Sequence, residues 1–175
     1  MMGPARIIVG ITGASGAIFG VRLLDQLKIL GVETHLVMTP AAERAIAYET
    51  HFKISEVSAR ASVNHPYTDI GASIASGSFK TRGMVVAPCS VRSMSEIATG
   101  VTSNLLTRAA DVTLKERRPL ILLVRETPLH LGHLRTMTSL AEMGAIIAPP
   151  LPAFYAHPKS IDEMVDQFTA RIVDM

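Results

Sequence analysis

The residues of this chain best suited to chemistry fall in a few short stretches. Gly13-Ala14-Ser15-Gly16 is a glycine-rich turn, Thr39 stands just before Pro40, and Cys89-Ser90-Val91-Arg92-Ser93 is rich in hydroxyls. Arg125-Glu126 and, further on, Phe154-Tyr155 complete the set. Each comes after an apolar run. Together they offer hydroxyls, backbone N–H donors, arginine, one glutamate and one tyrosine. That mixture suits an anionic, phosphorylated ligand with one acid/base group beside it.

The glycine spacing narrows the ligand. Gly10, Gly13 and Gly16 give G-x-x-G-x-x-G rather than the G-x-G-x-x-G of dinucleotide sites. A dinucleotide site also wants an acid near the end of the second strand, whereas Glu33 opens that run and Met38-Thr39-Pro40 closes it. The turn is therefore expected to serve one phosphate or a mononucleotide, at a helix N-terminus whose N–H groups and dipole favour an anion. Glycines are also needed in such turns for backbone geometry alone, so the loop by itself fixes no ligand.

Other reactive residues have ordinary readings. Adjacent opposite charges such as Arg125-Glu126 commonly make an exposed ion pair; the place of this pair directly after an all-apolar run gives a functional reading equal weight. Lys115, with Arg117 and Arg118, falls at a helix C-terminus, where cations stabilise the dipole. Cys89 reads as a small buried residue with no neighbouring base to activate it. His130 and His133 are three apart, but no third ligand accompanies them. Glu49, at a helix end, reads as a surface acid.

The elements that must position these residues alternate along the chain. Apolar runs at Ile7–Ile11, Met84–Pro88, Leu120–Val124 and Ala145–Ala148, with the short segment Glu33–Met38, predict five strands. Between them, helical periodicity covers a segment carrying Phe19, Leu23, Leu24, Leu27 and Leu30, then Ala41–Thr50, Ser90–Ala98, Thr102–Glu116 and Leu129–Met143. Ser160 followed by Glu163 reads as the capping box of a last helix. Residues 51–82 are less regular, with a short element at Ile54–Val57. This alternation predicts an α/β fold: a Rossmann-like doubly wound parallel sheet in three layers, α/β/α, whose ligands sit at the carboxyl ends of the strands.

Bulk properties bound the class. A chain of 175 residues with no composition shift or repeat is expected to be one domain, 1–175. A net charge of +2, with both signs mixed, calls for neither nucleic acid nor a membrane surface. No apolar run approaches the roughly 20 residues of a membrane-spanning helix. Hydrophobic residues make up 48% of the chain and mean hydropathy is +0.31, which points to apolar surface shared between copies and so to a homo-oligomer. A secretory leader is not expected, because the first apolar run is short and the helix continues through the would-be cleavage site. With one cysteine the chain reads as cytoplasmic.

Several longer stretches resemble the UbiX-type flavin prenyltransferases. They are G-I-T-G-A-S-G-A (10–17), E-T-H-L-V-M-T (33–39), A-S-G-S-F (75–79), P-C-S (88–90) and L-T-R-A-A-D-V-T-L-K-E-R-R-P-L (106–120). V-R-E-T-P-L-H-L-G-H-L (124–134) and P-A-F-Y-A-H-P (152–158) extend the resemblance nearly end to end. It implies a flavodoxin-like, dodecameric flavoprotein that joins a dimethylallyl group from dimethylallyl monophosphate to N5 and C6 of reduced FMN. The product, prenylated FMN, is the cofactor of UbiD-type decarboxylases. The resemblance implies FMN contacts from Gly13, Ala14, Ser15, Thr39, Ser90, Val91, Arg92, Ser93 and Arg125. It implies prenyl-phosphate contacts from Lys115, Tyr155 and Arg171, with Arg108 nearby, and acid/base work by Glu126 assisted by Ser15 and Glu49. No D-D-x-x-D motif for a metal–diphosphate complex occurs, which fits metal-independent use of a monophosphate.

This sequence departs from the family pattern twice. Thr39-Pro40 stands where relatives usually have serine then lysine, which keeps the hydroxyl and alters the turn. The sequence ends at Met175 and has no tryptophan, whereas many relatives continue into a tail, often with a tryptophan, that covers the site. The expectation is a more open site or one closed by another subunit. Two other classes remain in view. Flavin-dependent cysteine decarboxylases carry P-x-M-N-x-x-M-W, which is absent here. A non-catalytic FMN carrier of the flavodoxin kind is usually acidic and flanks its ring with Trp or Tyr; this chain has a pI near 8.9 and three tyrosines.

Overall fold

The computed structural model describes residues 5–175. Among them six strands form one sheet, every pairing parallel: β1 (Arg6–Ile11), β2 (Glu33–Met38), β3 (Val63–His65), β4 (Gly83–Cys89), β5 (Leu120–Val124) and β6 (Ile146–Ile147). Their order is β3-β2-β1-β4-β5-β6. Of the two common doubly wound arrangements this is the 3-2-1-4-5-6 one, with its reversal between β1 and β4.

Side-chain alternation along these strands builds two cores. Ile8, Met84, Val86, Leu120 and Leu122 face one side; Val9, Ile11, Val85, Ile121 and Leu123 face the other. On the first side pack α4 (Val91–Thr99), α5 (Leu105–Lys115) and α6 (Leu131–Glu142), through Met94, Ile97, Leu106 and Leu140. On the second pack α1 (Ala17–Ile29), α2 (Pro40–Glu49) and α3 (Ile54–Ser58), through Val21, Leu24, Ile46 and Val57. The last helix, α7 (Ile161–Val173), returns to the second side and lies along α1, where the Phe19 and Phe168 rings meet edge to face at 5.4 Å. Each fully buried leucine or isoleucine of these layers contributes about 1.5–3 kcal/mol.

Two glycines set how closely the layers approach. A Cβ at Gly20 would collide with the carbonyl oxygen of Ala87 and with Ile11, so this glycine lets α1 lie directly on β1 and β4. A Cβ at Gly13 would collide with Ala41, so its absence lets the turn after β1 touch the start of α2.

Three expectations are corrected. The sheet has six strands rather than five, because Val63–His65 extends it beyond β2. Strand β6 shrinks to Ile146–Ile147. At α7, Ser160 Oγ accepts the Glu163 N–H at 3.1 Å, but the Glu163 carboxylate takes the N–H of Lys159 rather than that of Ser160, so the box closes one residue early.

Candidate functional site

The reversal between β1 and β4 leaves a crevice at the carboxyl edge of the sheet, and the chain lines it with the starts of two helices. The buried hydroxyl of Thr12 ties the crevice together. It donates to the Pro88 carbonyl at 2.8 Å and accepts the Ser90 N–H at 2.8 Å, locking the end of β1 to the turn after β4. Thr39 begins α2: its Oγ1 accepts the Ala42 N–H at 3.0 Å, and Pro40 takes the first helical position, where its missing N–H costs nothing. Ser90 begins α4 in the same way, its Oγ accepting the Ser93 N–H at 3.2 Å and donating to Ser93 Oγ.

A cavity of about 440 Å³ lies between these turns. Gly13, Thr39, Pro40, Ala41 and Arg44 line it from the turn after β1 and from α2; Ser90, Val91, Arg92, Ser93 and Glu96 line it from α4, and Tyr67 completes it. Six of the expected flavin contacts therefore share one cavity: Gly13, Thr39, Ser90, Val91, Arg92 and Ser93. The positive ends of the α2 and α4 dipoles both open onto it, which suits the phosphate of a mononucleotide. Ala14 and Ser15 continue the glycine turn beside it, and Ser15 is exposed. Arg125 leaves the end of β5, where its N–H bonds the Cys89 carbonyl at 3.1 Å and its side chain is exposed.

The first helix is less open to an anion than its glycine turn suggests. The Glu49 carboxylate, from the end of α2, accepts the N–H groups of Gly16 and Ala17 at 2.8 and 3.1 Å. This carboxylate occupies two of the donors that a phosphate would take. Glu49 is thereby a cap for α1 beside Ser15 rather than a free surface acid.

The remaining expected residues divide between the two edges of the sheet. Glu126 is exposed at the carboxyl edge, its Oε1 accepting the Thr127 N–H at 2.9 Å. Tyr155, 87% exposed, sits in a short 3-10 turn beyond β6. Lys115 ends α5 at the opposite edge, where it pairs with Glu116 at 2.7 Å just before β5 begins. Arg171 is exposed near the end of α7, next to Ile172, which packs beside Ile7 and Gly83 at the amino ends of β1 and β4. Arg108, early in α5, is held by Asp111 at 2.8 Å. One chain thus brings the flavin-side residues together and leaves Lys115 and Arg171 apart from Glu126.

Cys89 is fully buried, and burial pushes its thiol up to about 12, so it is no nucleophile. The His130 and His133 rings stack at 3.5 Å, and His130 Nδ1 caps α6 by accepting the His133 N–H at 3.3 Å. Sequence reasoning missed Arg44, Tyr67 and Glu96. Arg44 was readable in principle, one turn after Thr39-Pro40; Tyr67 follows β3, the strand that periodicity did not show.

A doubly wound sheet with a phosphate-suited cavity at its switch point defines a mononucleotide-binding α/β protein. The family model described as Flavoprotein matches residues 1–173. A Thauera aromatica protein named flavin prenyltransferase UbiX is 55% identical, the match covering 97% of this chain and 87% of the relative. The Escherichia coli K12 protein of the same name is 59% identical over 97% of this chain and 90% of its own. Among solved structures, AnUbiX (PadA1) in complex with FMN and dimethylallyl pyrophosphate superposes with a TM-score of 0.97 at 46% identity, covering 98% of this chain and 92% of that one. A dodecameric FMN-dependent UbiX-like decarboxylase from Escherichia coli O157:H7 gives a TM-score of 0.95 at 46% identity, covering 97% and 93%. The chain belongs to the UbiX flavin prenyltransferases, within the flavoprotein family. An FMN-dependent cysteine decarboxylase, TvaF, shares the fold alone, at 17% identity.

Proposed function

We propose that this chain transfers a dimethylallyl group from dimethylallyl monophosphate to N5 and C6 of reduced FMN, and that a UbiD-type decarboxylase uses the product. The observation that carries this reading is the switch-point cavity, which gathers Gly13, Thr39 and the Ser90–Ser93 turn around the N-termini of α2 and α4. Those residues, with Ala14, Ser15 and Arg125, hold the flavin. Bound FMN supplies the nucleophilic ring positions, so no side-chain nucleophile is required.

The chain's own work is electrostatic and proton-handling. Lys115, Tyr155 and Arg171, with Arg108 nearby, bind the departing phosphate and stabilise the charge that grows on it as the allylic C–O bond breaks. Glu126 handles the proton exchange of ring closure, delivering one proton to the prenyl double bond and taking back the one that C6 releases. Ser15 and Glu49 assist from the turn after β1, where Glu49 fixes the N–H groups of Gly16 and Ala17. Lys115 and Arg171 reach such a site only from neighbouring copies, because within one chain they lie at the opposite edge of the sheet. The assembly we propose is therefore a homododecamer, as in the E. coli O157:H7 relative. Exposed apolar side chains such as Ile29, Tyr48, Leu151 and Phe154 support burial between copies.

The test is anaerobic incubation of the purified protein with reduced FMN and dimethylallyl monophosphate, followed by mass spectrometry of the extracted flavin. A gain of one five-carbon prenyl unit is the expected result. Unmodified FMN with intact binding would overturn the reading in favour of a flavin carrier.

A further inference from the structure

We propose that Arg44 grips the phosphate of the mononucleotide and makes this chain select FMN over riboflavin. The inference rests on the flavin-site reading above and assigns a contact to a residue outside the set considered so far.

The charges around the cavity single Arg44 out. Arg92 is committed to Glu96, Nε to Oε1 at 2.9 Å. The other oxygen of Glu96 accepts from Ser103 Oγ and Asn104 Nδ2, each at 3.2 Å, so that carboxylate is saturated and neutralised. Arg44 lines the same cavity, and among the described residues its guanidinium has neither a carboxylate nor a carbonyl partner. The hydroxyls that line the cavity are neutral: Thr39 Oγ1 accepts the Ala42 N–H and Ser93 Oγ accepts from Ser90 Oγ, which leaves their O–H groups as donors without adding charge. The cavity therefore has one uncommitted cation and no uncommitted anion.

Helix geometry aims that cation. Arg44 lies four residues after Pro40, the first residue of α2. Helical side chains lean toward the N-terminus, so a long side chain at this place covers the turn before it, here Pro40-Ala41 at the cavity wall. An arginine in that position meets a phosphate with two parallel N–H donors, adding charge and direction to what the helix starts offer. Riboflavin, which lacks the phosphate, gains nothing from it.

The experiment titrates the full chain and its Arg44→Ala and Arg44→Lys variants with FMN and, separately, with riboflavin, following flavin fluorescence. Arg44→Ala is expected to weaken FMN binding by about tenfold or more, the size of a lost charged hydrogen bond, while riboflavin binding stays within about twofold. Arg44→Lys is expected to recover part of the FMN affinity. Unchanged FMN affinity in Arg44→Ala, or equal losses for both flavins, would overturn the assignment while leaving the flavin site standing. Failure of the unaltered chain to bind either flavin would overturn both.

Discussion

At the scale of single residues, the proposed chemistry separates holding the flavin from handling charge. Among the described residues Glu126 has no partner but the neighbouring Thr127 N–H, so its carboxylate is available to a proton from a bound ligand. We predict that Glu126→Gln retains FMN binding and slows adduct formation by about a hundredfold or more, the usual worth of a positioned acid/base group. Normal turnover in single-turnover mass spectrometry would remove Glu126 from that role. Among the described residues Lys115 is engaged only by Glu116, and that contact holds the Glu116 carboxyl below its ordinary range. Lys115→Ala is expected to raise the prenyl-phosphate concentration needed for half-maximal rate at least tenfold, with FMN affinity unchanged. Equal loss of both would return Lys115 to capping its helix.

At the scale of elements, the thin edge of the sheet carries its own titration. His35, buried on β2, bonds Glu33 through Nε2 at 2.9 Å and His65 on β3 through Nδ1 at 2.9 Å. His35 Nε2–H donates to the Glu33 carboxylate, and between His35 Nδ1 and His65 Nε2 one ring donates and the other accepts. Arg6 pairs with Glu33 from β1, Phe79 packs edge-on against His35, and Asp69 pulls the other way on His65. Desolvation first, then His35, lowers the His65 pKa from 6.5. A histidine lowered in the folded state binds protons more readily when unfolded, so its contribution is present above pH 6.5 and lost as pH falls below it. Thermal midpoints are expected to drop between pH 7 and about 5.5, and His65→Asn should flatten that slope. An unchanged slope would exclude the pair as its source.

The same edge shows what the sequence could not reveal. Strand Leu120–Val124 was legible because burial on both faces demands an unbroken apolar run, and Glu33–Met38 through its apolar end, Leu36-Val37-Met38. Val63-Asn64-His65 has no such run; it pairs only with β2, and its side chains are exposed or half-buried. Tyr67 follows that strand and was lost with it. The glycine turn was legible as a turn, but its anion-binding role was not, because the carboxylate that fills it comes from Glu49, 33 residues from Gly16. The place of Thr39 and the Ser90–Ser93 turn was legible, because a residue that caps a helix after a parallel strand stands at the carboxyl edge of the sheet.

At the scale of the whole molecule, the fold makes a single chain insufficient for the proposed reaction. Glu126 follows the carboxyl end of β5, whereas Lys115 precedes its amino end by the length of a short turn, so the strand itself holds them apart. Symmetric assembly resolves this if one copy's Lys115 edge meets another's Glu126 edge. Mixed assemblies test it. Chains carrying Glu126→Gln alone and Lys115→Ala alone are each expected to form impaired sites throughout. When the two are refolded together in equal amounts, a site needs Glu126 from a Lys115→Ala chain and Lys115 from a Glu126→Gln chain. Random assembly supplies that pairing in about one quarter of sites, so the mixture should regain about a quarter of the unaltered rate. The double variant mixed with unaltered chains gives the same fraction of intact sites, which calibrates the measurement. Activity no greater than that of the separate variants would mean that both groups act within one chain, and the division of the site between copies would fall.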